Sequence, residues 1–300
     1  MELALVELAH GVITTALGRS AVISRLDRLP ATGGGVVLDA TLADSRRFVL
    51  KVADHGDESA DFQRTQAVIA LASAAGVPAP AVLAAENSGY VGRRYLLLEH
   101  VDGVPWHRVR PSLDARQLSA GYEQIADAVL ALQSVRFGSF GELDRRAEPA
   151  GQTLLAALHH RAELRIPDAR AREEFSRLLD RDAHLFTSRQ SPTLCHDDLH
   201  HGNLLFREQR GHWDLAAVLD WDKAWAGPAE CDIARMEFWD DMTGPGYWRV
   251  YRSAVPAAEG HRKRSLIYQL LWCLEYQSDS ARHAADTAAL ARRLGLSGIA

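Results

Sequence analysis

The sequence has little of what marks secreted, membrane or nucleic-acid-binding proteins. Its three cysteines are widely spaced and form no C-x-x-C pair, so they indicate neither a disulfide framework nor a zinc site. No apolar run approaches the length of a membrane span, and the first residues, MELALVELAH, lack the basic segment of a secretory signal. No block of lysine and arginine is present, and the net charge is −5. We therefore expect a cytoplasmic protein that binds neither membranes nor nucleic acid.

What is present is the composition of an ordinary globular chain. Hydrophobic residues make up 47% and charged residues 24% of 300 positions, which argues against disorder and against fibrous repeats. Single hydrophobic cores stop growing near this chain length, so we expect two lobes that share a cleft. The mild negative charge is compatible with a cationic ligand.

One stretch carries an ordered set of oxygen-bearing side chains. His196, Asp198 and Asn203 form the pattern H-x-D-x-x-x-x-N, and Asp220 follows a short apolar run that predicts a buried strand. Phosphoryl transfer needs a carboxylate against the acceptor hydroxyl and oxygen ligands for Mg²⁺ on the nucleotide phosphates. Asp198 suits the first task, and Asn203 with Asp220 suits the second.

A second interpretation of this stretch is an iron site with two histidines and one carboxylate. It would use His196, Asp198 and a distant histidine. Such a site belongs on a β-rich barrel, whereas this chain is predicted to be chiefly helical after residue 110. The phosphoryl-transfer interpretation also accounts for Asn203 and Asp220, and we favour it.

The order of motifs resembles the aminoglycoside phosphotransferases and their relatives, which are small-molecule kinases with a protein-kinase-like fold. The family pattern is H-G-D-x-x-x-x-N, a strand ending I-D-W-E or I-D-W-D, a G-D-P-like turn and D-L-A. This chain reads H-D-D-L-H-H-G-N at 196–203, L-D-W-D at 219–222, A-G-P at 226–228 and D-I-A at 232–234.

The resemblance implies a bilobal α+β fold. A small antiparallel-sheet lobe would cover residues 1–102 and bind ATP or GTP, and a larger, mainly helical lobe would cover 103–300. It further implies that Asp198 is the catalytic base, that Asn203 and Asp220 bind Mg²⁺, and that His196 and Asp232 support the loop.

In the small lobe, periodicity predicts a helix over 2–17 and a three-stranded antiparallel meander over 21–54. By resemblance, Gly33 and Gly34 in its first turn bring backbone amides to the phosphates, and Lys51 in its last strand contacts the α- and β-phosphates. The family's hinge would place backbone groups of Glu99 and Val101 against the nucleobase.

Two positions depart from the family pattern. Thr65 stands where the helix over 57–75 normally carries the glutamate that pairs with the strand lysine. Either Glu58 or Asp61 substitutes for that glutamate, or Lys51 is held in another way. Asp197 replaces the usual glycine, and we expect its side chain to be tolerated if the backbone keeps an ordinary conformation.

The second lobe is predicted to contain helices near 113–134, 151–165, 169–188, 229–242, 246–256, 261–278 and 280–295. Carboxylates and aromatic rings are interleaved in its C-terminal part, which suits a cationic small-molecule acceptor. The predicted acceptor-binding acids are Asp222, Glu237, Asp240, Asp241 and Glu275. For Asp222, the sequence supports a position beside the metal ion equally well as one in the acceptor site.

Three functions remain open from sequence. The first is a kinase that phosphorylates a hydroxyl of an aminoglycoside or another amine-containing antibiotic and so confers resistance. The second is a metabolic kinase of the same fold acting on choline, homoserine or a sugar. The third is a nucleotide-binding pseudokinase, suggested by Thr65 alone. A protein kinase is disfavoured, because 220–234 lacks a D-F-G motif and an activation segment ending in A-P-E. We expect a monomer or a homodimer.

Overall fold

The chain begins with a helix packed on a curved antiparallel sheet. The computed structural model describes residues 3–30, 35–54, 56–57, 60–90, 93–187, 190–276 and 280–296. The N-terminal elements are α1 (Leu3–Leu17), β1 (Ile23–Leu29), β2 (Val36–Leu42), β3 (Arg47–Val52), α2 (Phe62–Ala74), β4 (Val82–Tyr90) and β5 (Arg93–Glu99). The strands form one sheet in the order β1-β2-β3-β5-β4, in which every pairing is antiparallel. The predicted meander is therefore present, and β4 and β5 extend it.

Alternating burial explains why these strands form and which face carries the core. In β3 the side chains of Phe48, Leu50 and Val52 are buried, whereas Lys51 lies between them on the other face of the sheet. The buried face packs against α1 through Leu8, Val12 and related side chains. Lys51 is thereby directed away from this core.

Gly35 closes the first turn of the meander in a conformation that only glycine fits. Its φ is +101°, and a Cβ atom there would lie 2.4 Å from the carbonyl oxygen of Val52. The two glycines predicted to approach the nucleotide, Gly33 and Gly34, lie outside the described residues.

The second part of the chain is mainly helical. Its helices are α3 (Trp106–Val109), α4 (Ala115–Ser134), α5 (Leu154–Arg165), α6 (Ala169–Arg181), α7 (Glu230–Phe238), α8 (Pro245–Ala254), α9 (His261–Glu275) and α10 (Ala281–Arg293). A capping box of Asp114 and Gln117 starts α4. The predicted helix over 169–188 is shorter than expected, because α6 ends at Arg181 and a 3₁₀ turn, Ala183–Phe186, follows. No helix in the described ranges is both long enough and apolar enough to span a membrane.

Two small sheets hold the motif-bearing loops. The strands β6 (Val104–Pro105), β9 (Leu204–Gln209) and β10 (His212–Val218) form one, and β7 (Gly141–Glu142), β8 (Pro192–Cys195) and β11 (Trp225–Pro228) form the other. The loop 196–203 leaves β8 and enters β9, and Asp220 follows β10 directly. Because β9 and β10 are an antiparallel hairpin, the end of the loop and Asp220 meet at the same end of the sheet. The division of the chain near residue 102 stays a prediction.

Candidate active site

The catalytic loop is fixed at its first residues by two buried side chains. The ring of His196 contacts the carbonyl oxygen of Leu219 through Nε2 at 2.8 Å, and its Nδ1 accepts from the amide of Asp198 at 3.1 Å. Asp232, on α7, accepts from the amides of His196 at 3.0 Å and Asp197 at 2.7 Å. Burial raises the pKa of Asp232 to about 7. These contacts join the loop to the end of β10 and to α7.

Asp198 carries a carboxylate with one oxygen engaged and one available. Its Oδ1 accepts from Arg235 Nη2 at 2.5 Å, and no described residue donates to Oδ2. Burial alone would raise the pKa of Asp198, but Lys223 and Arg235 outweigh it and hold the pKa below its ordinary value. The carboxylate is therefore ionised at neutral pH, and its second oxygen is suited to accept a proton from a hydroxyl.

Asn203 is tied to the same loop. Its side-chain nitrogen donates to the carbonyl oxygen of Asp198 at 2.9 Å, and its own carbonyl accepts from the amide of Leu219 at 2.8 Å. The amide oxygen of its side chain receives no hydrogen bond from the described residues. That oxygen is left free as a ligand.

Lys51 reaches the end of β10 from the small-lobe sheet. Its Nζ lies 2.5 Å from Asp220 Oδ1 and 3.0 Å from Asp222 Oδ2. Burial alone would lower the pKa of Lys51, but Asp222 and Asp220 outweigh it and raise the pKa. The lysine and the carboxylate predicted to bind phosphates and metal therefore meet across the cleft.

Asp222 contacts both Lys51 and Thr65, the residue at the position where the family pattern has a helix glutamate. Its Oδ1 accepts from Thr65 Oγ1 at 2.9 Å, while its Oδ2 contacts Lys51. Asp61, one of the expected substitutes, is instead the N-cap of α2 and accepts from the amide of Arg64 at 3.0 Å. The other substitute, Glu58, lies outside the described residues. Asp222 therefore lies beside Lys51 and Thr65, and its role in binding stays a prediction.

The donor atoms fit Mg²⁺ bound together with phosphates better than a metal held by protein alone. No group of three or more His, Cys, Asp or Glu side chains within the described ranges could hold a metal ion. The free amide oxygen of Asn203 and the Asp220 carboxylate supply two hard oxygens, and Mg²⁺ completes its shell with phosphate oxygens and water. These two residues are the candidates to hold it.

The predicted hinge residues differ in whether their backbone groups are available to hydrogen-bond a nucleobase. The amide of Glu99 donates to the carbonyl oxygen of Ala81 at 2.9 Å, which leaves at most its carbonyl for a nucleobase. Val101 lies beyond the end of β5, and neither its N–H nor its C=O has a hydrogen-bond partner among the described residues. Val101 therefore fits the predicted backbone contact better than Glu99 does.

The other acids predicted to bind the acceptor already have partners. Asp240 contacts Arg282 at 2.8 Å, Asp241 contacts Arg110 at 2.8 Å, and Glu275 lies 3.7 Å from Arg161 Nε. Glu237 accepts from the hydroxyl of Ser265 at 3.2 Å. Among these four, Glu275 alone is nearly enclosed, with 5% of its side chain exposed. They do not form an uncompensated acidic pocket.

The aromatic rings of this region surround a buried arginine. The guanidinium of Arg235 lies 3.4 Å from the centre of the Trp272 ring and 5.3 Å from that of Trp239. Trp272 in turn stacks on Tyr276 with ring centres 5.8 Å apart. Trp248 packs elsewhere, against Tyr247 of α8.

Sequence reasoning overlooked three basic residues that surround the loop: Arg161, Lys223 and Arg235. The local signal for Arg235 is its place in the run C-D-I-A-R-M, which is buried throughout. A charged side chain in such a run requires a buried partner. For Arg161 and Lys223 the sequence carries no comparable signal.

Comparison with known proteins identifies the family and the fold of the chain. The sequence model of the phosphotransferase enzyme family (APH) matches residues 38–264. The structure of aminoglycoside phosphotransferase APH(4)-Ia is similar at 20% identity and a TM-score of 0.66, over 96% of this chain and 97% of that one. Choline kinase LicA from Streptococcus pneumoniae is similar at 15% identity and a TM-score of 0.64, over 97% and 99% of the two chains.

Macrolide 2'-phosphotransferase MphH from Brachybacterium faecium is similar at 16% identity and a TM-score of 0.60, over 93% of this chain and 97% of that one. No curated protein matches this chain in sequence. At these identities the solved structures show the fold alone, and they confirm the predicted α+β protein-kinase-like architecture. The match of the family model over most of the chain goes further: the chain belongs to the phosphotransferase enzyme family.

Proposed function

We propose that this protein is a small-molecule kinase that transfers the γ-phosphoryl group of ATP or GTP to a hydroxyl group, with Asp198 as the catalytic base. The proposal rests on three features that converge at one end of the cleft. They are the ionised Asp198 carboxylate with its free oxygen, the side chain of Asn203, and the Lys51–Asp220 pair. Family membership supports the same reaction class. A cytoplasmic location, where both nucleotides are available, goes with this proposal.

Each group has a role in the transfer that follows from its position. The free oxygen of Asp198 accepts the proton of the acceptor hydroxyl while the new oxygen–phosphorus bond forms and the bond to the bridging β–γ oxygen breaks. Lys51 binds the α- and β-phosphates, and Asp222 with Thr65 holds its ammonium group in place. Mg²⁺ held by Asn203 and Asp220 would supply positive charge against the phosphate oxygens.

For the acceptor we propose an amine-containing small molecule, with an aminoglycoside or another amine-bearing antibiotic first, so that resistance would follow from its phosphorylation. The exposed ring of Tyr276, which stacks on Trp272, supports this, because an aromatic face attracts cationic groups. Arg235 already covers the rings of Trp272 and Trp239.

A metabolic kinase acting on choline, homoserine or a sugar is the second candidate. The observation that favours it is that Asp240, Asp241 and Glu275 already face arginines, which leaves little uncompensated negative charge for a polycation.

The test is Mg²⁺-dependent consumption of ATP and GTP by the purified protein against aminoglycosides, other amine-bearing antibiotics, choline, homoserine and simple sugars. Asp198→Asn is the matched control, because it keeps the side-chain shape and removes the base. Turnover confined to one acceptor class and lost in the control supports the proposal and selects the acceptor. Nucleotide binding without turnover on any acceptor would favour a pseudokinase instead.

A further inference from the structure

The residue before the catalytic base adopts a backbone conformation that most side chains avoid. The φ of Asp197 is +60°, so the ordinary backbone under which its side chain was expected to be tolerated is not present. The left-handed region costs a non-glycine residue on the order of 1 kcal/mol, although aspartate tolerates it better than most. The glycine that the family pattern carries here would adopt it freely. Some other interaction must therefore offset the cost of the aspartate.

That interaction is an ion pair with a fully buried arginine. Arg161, on α5, has 1% of its side chain exposed and donates through Nη2 to the carboxylate of Asp197. The same nitrogen donates to the carbonyl oxygen of Lys223 at 3.0 Å, and the guanidinium lies 4.6 Å from the centre of the Trp225 ring. One side chain thus joins the residue before Asp198 to the residue after Asp222.

Glu142 extends this link to the small-lobe helix. It accepts from Arg161 through Oε1, and its Oε2 lies 3.3 Å from Arg165 and 3.7 Å from Arg64 of α2. Arg64 itself donates to the carbonyl oxygen of Asp222. The carbonyls of two successive residues, Asp222 and Lys223, are therefore each held by an arginine, and both arginines face Glu142.

We propose that Asp197 and Arg161 are positioning residues, whose ion pair holds the catalytic loop in register with the turn that carries Asp220 and Asp222. The pair does not touch a substrate; it acts through the backbone on the orientation of the Asp198 carboxylate. Its catalytic consequence rests on the proposed kinase function, whereas its effect on the loop does not.

Substitutions of Asp197 distinguish a residue that positions the loop from one that the loop only tolerates. If the aspartate is only tolerated, Asp197→Gly restores the family residue and relieves the backbone, and Asp197→Asn, which also accepts a left-handed φ, behaves like the original. If the ion pair positions the loop, activity falls in the order aspartate, asparagine, glycine. We expect kcat to fall about 10- to 100-fold in Asp197→Gly, with the nucleotide KM changed less than about threefold.

The experiment combines steady-state kinetics with amide hydrogen exchange of the full-length protein. We expect faster exchange in Asp197→Gly for peptides covering 193–205 and 216–226, because the loop and the turn lose their common anchor. Arg210→Gly is the matched control: Arg210 also has a positive φ, +53°, but lies in the exposed turn between β9 and β10. It should change neither kcat nor exchange in these peptides.

Arg161→Lys provides a second variant, because it retains the buried charge but lacks the planar fork that reaches Glu142 through Nη1 and both Asp197 and the Lys223 carbonyl through Nη2. It should lower kcat with the nucleotide KM largely unchanged, as Asp197→Gly does. Unchanged loop exchange in Asp197→Gly would overturn the inference, whatever the activity. If the unsubstituted protein phosphorylates no acceptor, the proposed function fails, and hydrogen exchange alone still decides whether the pair anchors the loop.

Discussion

The two sides of the cleft use their carboxylates differently. On the nucleotide side, Asp220 and Asp222 face Lys51, whose ammonium group comes from the other lobe and lies where phosphates are proposed to bind. On the acceptor side, Asp198 and Glu275 face arginines of the helical lobe, Arg235 and Arg161. The difference suggests that the first set of charges reorganises when nucleotide binds, whereas the second is built into the fold. Substitutions on the two sides should therefore separate in their kinetic effects.

The largest effect is expected at the metal position of the nucleotide side. Asp220→Asn removes the charge of the proposed Mg²⁺ ligand, which is also a partner of Lys51, so we expect kcat to fall about 1000-fold and the affinity for Mg²⁺-nucleotide to weaken markedly. Isothermal titration with ATP at several Mg²⁺ concentrations measures the affinity. Normal Mg²⁺-nucleotide affinity in this variant would contradict the assignment of Asp220 to the metal.

On the acceptor side we expect a smaller fall in kcat, and it should leave nucleotide binding unchanged. Arg235→Met keeps a long apolar side chain against Trp272 but removes the donor to Asp198 Oδ1, so the base loses its fixed orientation. We expect kcat to fall about 30-fold with the nucleotide KM unchanged. Steady-state kinetics with each substrate varied in turn measures both constants. A rise in nucleotide KM as large as the fall in kcat would remove the distinction between the two sides.

Asp222→Asn sharpens the comparison, because the sequence left this residue open between the two sides. It weakens the hold on Lys51 while keeping the contact with Thr65, so the nucleotide KM should rise about tenfold. The acceptor KM should stay the same. Thr65→Val removes only the hydroxyl group that contacts Asp222, so it should also raise the nucleotide KM, but by a smaller factor. A change confined to the acceptor KM would move Asp222 to the acceptor side.

The buried carboxylate of Glu142, which faces Arg161 and Arg165, also predicts how stability depends on pH. Burial alone would raise the pKa of Glu142, but Arg161 and Arg165 outweigh it and lower the pKa from 4.5 to about 2. The folded state therefore binds fewer protons than the unfolded state between these values, and the carboxylate stabilises the fold by about 3 kcal/mol above pH 5. That contribution is lost as the pH falls from about 5 towards 2.

Denaturant unfolding at pH 5 and at pH 3 measures this loss as a difference in unfolding free energy. Glu142→Gln cannot titrate, so the difference should be smaller in this variant. Equal differences in the two proteins would show that Glu142 does not contribute to acid sensitivity.

The catalytic loop and the turn after β10 were largely predictable from sequence because their residues are set by short-range spacing. Asp198 and Asn203 lie on one loop between neighbouring strands, and Asp220 follows the partner strand of a hairpin, so the strand register alone brings them together. Lys51 was predictable because the family resemblance places a lysine on this strand, where a polar residue interrupts an apolar run.

The acceptor side was not predictable to the same degree, because its contacts join distant parts of the chain. Arg161 precedes Asp197 by 36 positions and Arg235 follows Asp198 by 37, and no local pattern ties such residues together. The contact of Asp222 with Lys51 was missed for the same reason, since 171 positions separate the two residues. The left-handed backbone at Asp197 was not predicted either, because its ion pair with Arg161 has no sequence signature.

The most direct test of the account is the single-turnover rate of phosphoryl transfer from preformed Mg²⁺-ATP or Mg²⁺-GTP complex to the acceptor, compared between the unsubstituted protein and Asp198→Asn. Loss of a positioned base should slow this step about 1000-fold, while the affinity for Mg²⁺-nucleotide stays within about threefold. An unchanged single-turnover rate in Asp198→Asn would show that Asp198 is not the base and would contradict the central claim.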